Sequence, residues 1–505
     1  MQTSKSKSRY MEIIKGKAKS LNMSMQQLSG EIFLDIASLY KYSANKFLSD
    51  GILMKHLKTA LQMDGEEAWE LEEALRAEAF GDERMRSWQL IDKYIFDGHR
   101  YEIEDYQISC QDDGHSQSAD SLFESVFREE SENGYQCHVD IVNCLSPSVL
   151  PKLMLFLKKA ACFKDNIQTI HLADMQAQRI DLLIESFLLT IFDLSELKLK
   201  GYSLFARFDT PDDGLRFLDD TVIVSIAKPE DPAAKAKHFV LKLSQADDSV
   251  FMTLSEPALG FLRENFFAYK REFNLQLYRK SDFGTAIQEN KHNEKISDKS
   301  VLLKSDPCYN EIPPEVYLSL KERMIDSLSA DSMLFFAEMS PGCDLTEAVE
   351  TVLEEERRRY EMTFMNETLS VYSKDGLRKF YATGRSNDYI SSFLPFTKSE
   401  VAQIFRTHLK RSLDPKDKFS MRITHMPLMK DKSLLKVYSS GYIYFERLEG
   451  EFKQPIDDQA VFLSKKLSSA LLDYVQNWLI PKYAISMEEA QLFINSLTSE
   501  ESAND

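Results

Sequence analysis

Residues 21–63 read LNMSMQQLSGEIFLDIASLYKYSANKFLSDGILMKHLKTALQM. Polar capping residues interrupt this stretch at short intervals, each followed by an aliphatic side chain. Ser24 is an N-cap whose hydroxyl takes the Gln26 or Gln27 amide while the Gln27 side chain answers, a capping box. Leu28 anchors that second helix in a core. After Ile32-Phe33-Leu34, Asp35 caps a third helix carrying Ile36, Leu39, Tyr40, Lys41 and Tyr42. A fourth helix over 49–61 holds Leu53, His56, Leu57 and Leu61. Upstream, Met11, Ile14, Ala18 and Leu21 recur at spacings of three and four, which predicts a first helix over 10–21. Asp64 with Glu67 makes a second capping box, ahead of Trp69, Leu71 and Leu75. The pattern predicts five short helices ending near residue 80, around a core of Leu21, Leu28, Ile36, Leu39, Leu53, Leu57 and Leu61.

Charge is unevenly spread along the 505 residues. Residues 1–63 hold ten Lys or Arg against four Asp or Glu, a surplus of six, which leaves −24 for the rest of a chain whose net charge is −18. A basic head on an acidic body suits a localised phosphate-contacting surface and excludes nucleic acid wrapped over the whole molecule. The turn between the second and third helices sets them at a steep angle. The third helix then enters a major groove while the second crosses the backbone. Its outward positions are Ser38, Lys41, Tyr42 and Asn45. Ser38 and Asn45 suit base edges, and Lys41 suits guanine or phosphate. Gln26 and Gln27 stand beside the amides at the start of the second helix, and Lys15, Lys17, Lys19 and Lys46 suit phosphates.

These residues resemble the helix-turn-helix domain of phage-repressor-like (Xre-type) transcription regulators. Ser24 matches the capping Ser or Thr of the family's second helix, Gln26 and Gln27 its polar opening turn, and Leu28 its core leucine. Leu34-Asp35-Ile36 falls where the turn leads into the recognition helix, and Leu39 matches the buried position of that helix. LMKHLKTALQM (53–63) looks like the fourth helix. The sequence departs from the family at Phe33, near which a Gly is usual, and lacks the Glu-x-Gly that often follows the recognition helix. The resemblance covers about 60 residues and implies sequence-specific binding to double-stranded DNA. The alternative reading is a helical adaptor whose polar helix faces solvent.

The remainder suggests an α/β or α+β body. Residues 81–134 read as a connector, with a loop over 108–121. Residues 135–287 read as a sensor or dimerisation domain. Strands are predicted in CHVDIVNCL and over 168–172, 202–208, 221–227, 239–243 and 250–254. Helices are predicted over 150–161, 177–189 and 258–271. A polar stretch over 288–299 precedes an α+β effector or interaction domain, 300–498. Its predicted helices are 314–328, 345–360 and 461–479, and its strands are 368–372, 435–438 and 442–447. FVLKLSQADDSVFMTLSEPALGFLRENFFAY and LLKVYSSGYIYFERLEGEFKQPIDDQAVFLSKKLSSALLDYVQNWL share an order of strands, acidic turn and aromatic helix. A diverged duplication of a hairpin-plus-helix module gives that order, as does chance recurrence of a common arrangement.

No G-x-G-x-x-G, G-x-x-x-x-G-K-[ST] or H-E-x-x-H is present. Cys137, His138 and Cys144 have neither the fourth ligand nor the close spacing of a zinc site. Scattered cysteines suit a reducing compartment, and no run is long and apolar enough for a membrane span; the expectation is a cytoplasmic chain. His171 with Asp174 lies at a strand end, where α/β proteins place ligands. Asp209, Asp212, Asp213, Asp219 and Asp220 gather in turns, as do Ser373-Lys374-Asp375-Gly376 and Ala382-Thr383-Gly384-Arg385, the last suited to an anion. No catalytic residue, metal or cofactor is expected. The expected molecule is a homodimeric transcription regulator whose body senses a small-molecule, peptide or protein effector. An enzyme or toxin-related protein with an autoregulatory head, and an interaction scaffold without nucleic acid, are the alternatives.

Overall fold

The structure, a computed structural model, describes residues 8–97, 103–111, 114–175, 180–193, 201–208, 218–228, 231, 234–244, 249–275, 277–278, 292, 296–307, 311–327, 342, 344–363, 366–386, 395–428, 433–449 and 454–499. The chain forms two compact units, Met1–Ile91 and Asp92–Asp505.

The first unit is all helical: α1 (Arg9–Ser20), α2 (Met25–Glu31), α3 (Ile36–Lys41), α4 (Ala44–Ser49), α5 (Gly51–Ala60), α6 (Gly65–Phe80) and α7 (Asp82–Asp92), whose last residue, Asp92, opens the second unit. Three predicted caps form. Ser24 and Gln27 make a reciprocal box, Asp35 accepts the Ser38 amide at 2.8 Å, and Asp64 and Glu67 make a second box. Leu28, Leu39, Leu53, Leu57 and Leu61 are buried together with Ile14, Ala18 and Phe47.

The expected third helix differs. It stops at Lys41, because Tyr42 is extended, and Ser43 starts the separate α4. Ile36 is exposed, and Leu21 is only half-buried.

Three helix ends repeat one device. Asn22, Phe33 and Gln62 are left-handed, with φ of 53°, 59° and 47°. The next residue in each case, Met23, Leu34 or Met63, donates its amide back to Ala18, Ser29 or Lys58 at 2.9, 2.9 and 3.0 Å. This is the Schellman arrangement, and all three following side chains pack against the same core. Phe33 therefore takes the conformation usually given to glycine.

The second unit is α/β and holds two mixed sheets. β1 (Gln107–Cys110), β2 (Ser116–Ser118) and α8 (Ala119–Glu132) precede three parallel strands, β3 (Gln136–Val142), β4 (Ile167–Asp174) and β5 (Tyr202–Arg207). α9 (Leu150–Ala160) and α10 (Ile180–Leu188) make the crossovers. β6 (Thr221–Ala227) then pairs antiparallel on the free side of β3 and starts a meander through β7 (Lys237–Lys242) and β8 (Ser249–Thr253), followed by α11 (Glu256–Lys270) and β9 (Asn274–Leu275). The sheet order is β2-β1-β8-β7-β6-β3-β4-β5-β9.

The second sheet opens with β10 (Leu277–Tyr278) and repeats the scheme. β11 (Lys299–Leu303), β12 (Glu367–Ser373) and β13 (Phe419–Thr424) are parallel. α12 (Pro314–Ser327) and α13 (Leu345–Thr363) lie in the first crossover, and α14 (Lys374–Thr383) and α15 (Lys398–Leu413) in the second. The meander β14 (Ser433–Tyr438), β15 (Tyr442–Glu449), β16 (Gln454–Leu463) returns to the free side of β11, and α16 (Lys465–Tyr474) follows. The order is β10-β16-β15-β14-β11-β12-β13. Strand for strand, β8-β7-β6-β3-β4-β5 and β16-β15-β14-β11-β12-β13 have one connectivity. The hairpin-plus-helix likeness seen in the sequence is the tail of this larger scheme, with the first strands offset: FVLKL is a middle meander strand, whereas LLKVY is a first one. Phe187 against Phe462 and Phe192 against Phe445, at 4.9 and 5.7 Å between ring centroids, join residues that precede β5 to strands of the second sheet.

Three other expectations are corrected. Residues 108–110 and 116–121 are not a loop: Ile108 and Cys110 alternate with exposed neighbours on β1, and Ser118 caps α8. Residues 461–463 belong to β16, and the helix begins at Lys465. Ser373 is the N-cap of α14 rather than part of an isolated turn, its hydroxyl accepting the Gly376 amide at 3.0 Å. The start of the expected helix 177–189 lies partly outside the described residues.

Candidate nucleic-acid interface

α2 and α3 are joined by four residues, and the left-handed Phe33 sets the change of direction. Leu39 is fully buried and fixes which side of α3 faces the core. The opposite side presents Ile36, Ala37, Tyr40 and Lys41, all exposed. This set differs from the expected one. Ser38 is half-buried, and its hydroxyl donates to Asp35 Oδ2, which spends its polar atom on the cap. That bond lowers the Asp35 carboxyl below its ordinary value, helped by the Ser38 amide. Tyr42 is half-buried against Phe47 at 4.9 Å between ring centroids, and its hydroxyl donates to Asp50 at 3.3 Å. Tyr42 is thus a packing residue. Asn45 and Lys46 are exposed but stand on α4, beyond the break.

Gln26 and Gln27 are exposed at the start of α2. The Gln27 side-chain oxygen accepts the Ser24 amide at 2.8 Å, and its own amide goes to the Ser24 hydroxyl, so the box occupies groups expected at a phosphate. The lysines also divide. Lys17 is paired with Glu67, Lys58 with Glu72, and Arg9 with Glu70 at 3.8 Å. All three acids lie on α6, in a stretch, 64–91, with nine Asp or Glu and three Lys or Arg. These pairs engage part of the basic surplus, Lys17 included, with acids of α6. Lys15 remains exposed with its ammonium 5.0 Å from the Tyr40 ring centre, and Lys46 stands 5.7 Å from the Tyr42 ring. Lys19, one turn beyond Lys15, and Lys41 are exposed as well.

The structure therefore brings Lys15, Tyr40 and Lys41 together with Ile36. The sequence reading missed both residues: it placed Ile36 in the core, and it gave Tyr40 to the helix without a side. A six-residue helix contains too few turns for spacing alone to decide its face. Phe33, 81% exposed, extends the strip towards α5, its ring 5.6 Å from that of His56, and Ile52 stands one turn before His56.

Other polar groups converge in the body. At the carboxyl ends of β3 to β5, Arg207 donates to Asp174 at 2.5 and 3.0 Å, to Glu272 at 2.6 Å and to the Tyr269 hydroxyl at 3.2 Å. Asn143 donates to Asp219 at 2.5 Å and accepts the Asp174 amide at 2.7 Å, while Asp220 accepts the Cys144 amide at 3.1 Å. Burial raises the Asp219 and Asp220 carboxyls.

His171 is a neutral tie. Its Nε2–H donates to the Asn143 carbonyl and Nδ1 accepts from Tyr202 at 2.6 Å. Burial pushes its pKa down to about 4 despite the Asn143 bond. In the second sheet Lys304, Ser370 and Tyr372 donate to the buried Glu311.

Cys137 and Cys144 are buried near opposite ends of β3, and among the described residues no three His, Cys, Asp or Glu form a metal-holding group. Gly384 is the left-handed cap of α14, with φ 64°, so 382–385 form the end of a helix. Asp209, Asp212 and Asp213 lie outside the described residues, as do Cys308 and Cys343. No described helix is long and apolar enough to cross a membrane. Neither a protein-family model nor a curated protein sequence matches the chain.

Proposed function

We propose that the helical unit is the helix-turn-helix head of a DNA-binding transcription regulator, and that the α/β body dimerises it and senses an effector or partner. The observation that carries this reading is the exposed side of α3, held outward by buried Leu39 and bordered by Lys15 and Lys41, with the exposed Lys46 following on α4. A short helix anchored on one face, with cations at its margins, suits insertion in a groove between two phosphate backbones. The left-handed turn at Phe33 supports the likeness to phage-repressor-like regulators, because it supplies without glycine the bend that family makes.

The body reading rests on size and topology. The common connectivity of the two sheets supports a diverged duplication, which fits a body built from two related halves. A second head on a partner chain would raise the effective concentration of both on DNA, and an effector altering their spacing would change affinity by linkage. The test is to recover the fragments of the source genome that the full-length protein retains. A discrete two-fold symmetric site supports a dimeric regulator. Salt-sensitive retention without a preferred site leaves an electrostatic tether, and no retention removes the DNA reading in favour of a helical adaptor.

A further inference from the structure

The outward face of α3 has a composition that narrows what it can read. It offers two apolar side chains, Ile36 at 40% exposure and Tyr40 at 48%, one turn apart, with Ala37 and Lys41 beside them. It carries no Arg, Asn or Gln, the residues whose forked groups distinguish guanine and adenine in the major groove. Its one other hydroxyl, that of Ser38, is held by Asp35. Asn45, the nearest carboxamide downstream, stands on α4 after the backbone has turned at Tyr42.

The major-groove edge has one apolar feature, the thymine C5-methyl group. Around the apolar face the chain sets cations. Lys15 lies over the Tyr40 ring at 5.0 Å, Lys41 is on α3 itself, and Lys46 is at the Tyr42 ring. Lys17, Lys58 and Arg9 are turned away to the acids of α6. An apolar strip rimmed by cations complements a methyl-lined groove between two rows of phosphates. Asp35, the carboxylate that caps α3, has its oxygens engaged by the Ser38 amide and hydroxyl.

Resting on the reading of the head as a DNA-binding unit, we propose that Ile36, Ala37 and Tyr40 select thymine-rich duplex DNA by packing on thymine methyl groups, with Lys15, Lys41 and Lys46 holding the flanking phosphates. Specificity is then carried by methyl contact rather than by base-edge hydrogen bonds.

The experiment uses the full-length protein and a random-sequence duplex pool. The retained duplexes are sequenced, and the best is remade with deoxyuridine in place of thymidine, which removes the C5-methyl and keeps the base pair. The expected result is enrichment of thymine and about fourfold weaker binding for each contacted methyl removed. Ile36→Ala and Tyr40→Ala, both at exposed positions, should shrink the thymine-to-uracil ratio towards one. Lys46→Ala should weaken both duplexes equally and leave the ratio unchanged. Equal affinity for the two duplexes overturns methyl reading while leaving DNA binding in place. Retention of no duplex at all, at low salt, overturns both this inference and the reading it rests on.

Discussion

The indole N–H of Trp478 donates to the carboxylate of Asp92 at 2.8 Å, across 386 positions of the chain. Asp92 ends α7 and is buried. The same carboxylate accepts from the hydroxyls of Tyr474 and Tyr483, each at 2.7 Å, and from the ammonium of Lys482 at 2.9 Å. All four donors come from the segment that follows the second sheet. Burial and the neighbouring Asp92 charge raise the Tyr474 hydroxyl well above its ordinary pKa, so it stays a donor. Asp92 thus ties the start of the α/β unit to its far end.

Removing that carboxylate takes one shared acceptor from four donors, one of them charged. Asp92→Ala should cost the body ~3–5 kcal/mol. Asp92→Asn, which keeps the shape but not the charge, should cost less. Denaturant unfolding followed by tryptophan fluorescence checks this, and an unchanged midpoint for Asp92→Ala would refute the tie.

Phe33 holds a left-handed backbone with its ring exposed. A side chain there costs roughly 1–2 kcal/mol relative to glycine, offset in part by the greater freedom of glycine in the unfolded chain. Phe33→Gly should therefore stabilise the head by up to about 1 kcal/mol, and Phe33→Val should destabilise it. Amide exchange in α2 and α3 reads both changes. Faster exchange in the glycine variant would mean that the contact with His56 outweighs the backbone strain.

Two buried histidines set an acid limit. Burial lowers both His171 and His408 to about 4, the latter against the favourable charge of Glu311. A group whose folded pKa lies below its unfolded value near 6.5 takes up protons on unfolding as pH falls. Stability is full above pH 6.5 and declines progressively towards pH 4. Glu311 acts lower down. Burial alone would raise it, but Lys304, His408 and the bonds from Lys304 and Ser370 hold it at about 2, so its contribution is lost between pH 4.5 and 2. Urea midpoints measured from pH 8 to 4 should fall mainly below 6.5, and a flat profile would contradict the neutral assignment.

Gly384 ends α14 where a Cβ would lie 1.9 Å from the Phe396 carbonyl oxygen. Gly384→Ala combines that clash with a left-handed φ and should destabilise the body by more than ~1 kcal/mol. A thermal midpoint equal to that of the parent protein would show that the 384–396 contact yields freely.

What was legible in the sequence was what is made locally. The boxes at Ser24–Gln27 and Asp64–Glu67 and the cap at Asp35 involve residues three apart, and their chemistry is written in adjacent letters. Leu28, Leu53 and Leu57 were legible because their spacing suits one buried face. The outward face of α3 was not, because six residues give Ile36 and Tyr40 no periodicity to contrast with Leu39. The ends at Asn22, Phe33 and Gln62 hide because the left-handed residue is not glycine in any of them, although the apolar Met23, Leu34 and Met63 that follow were a usable signal. Sheet order was invisible because β3 meets β6 and β11 meets β14 only after long excursions of chain. The partners of Asp92 lie 382 to 391 positions away, beyond any local pattern.

The central claim, that the α3 face engages DNA, is tested most directly by measuring duplex affinity against salt concentration. The comparison is between the full-length protein and its Lys41→Ala/Lys46→Ala variant. Each phosphate contact contributes about −0.9 to the slope of log affinity against log salt. The account predicts binding that weakens steeply with salt, and a variant that binds more weakly with a slope shallower by about 2. Binding that ignores salt, or a variant indistinguishable from the parent, would contradict it.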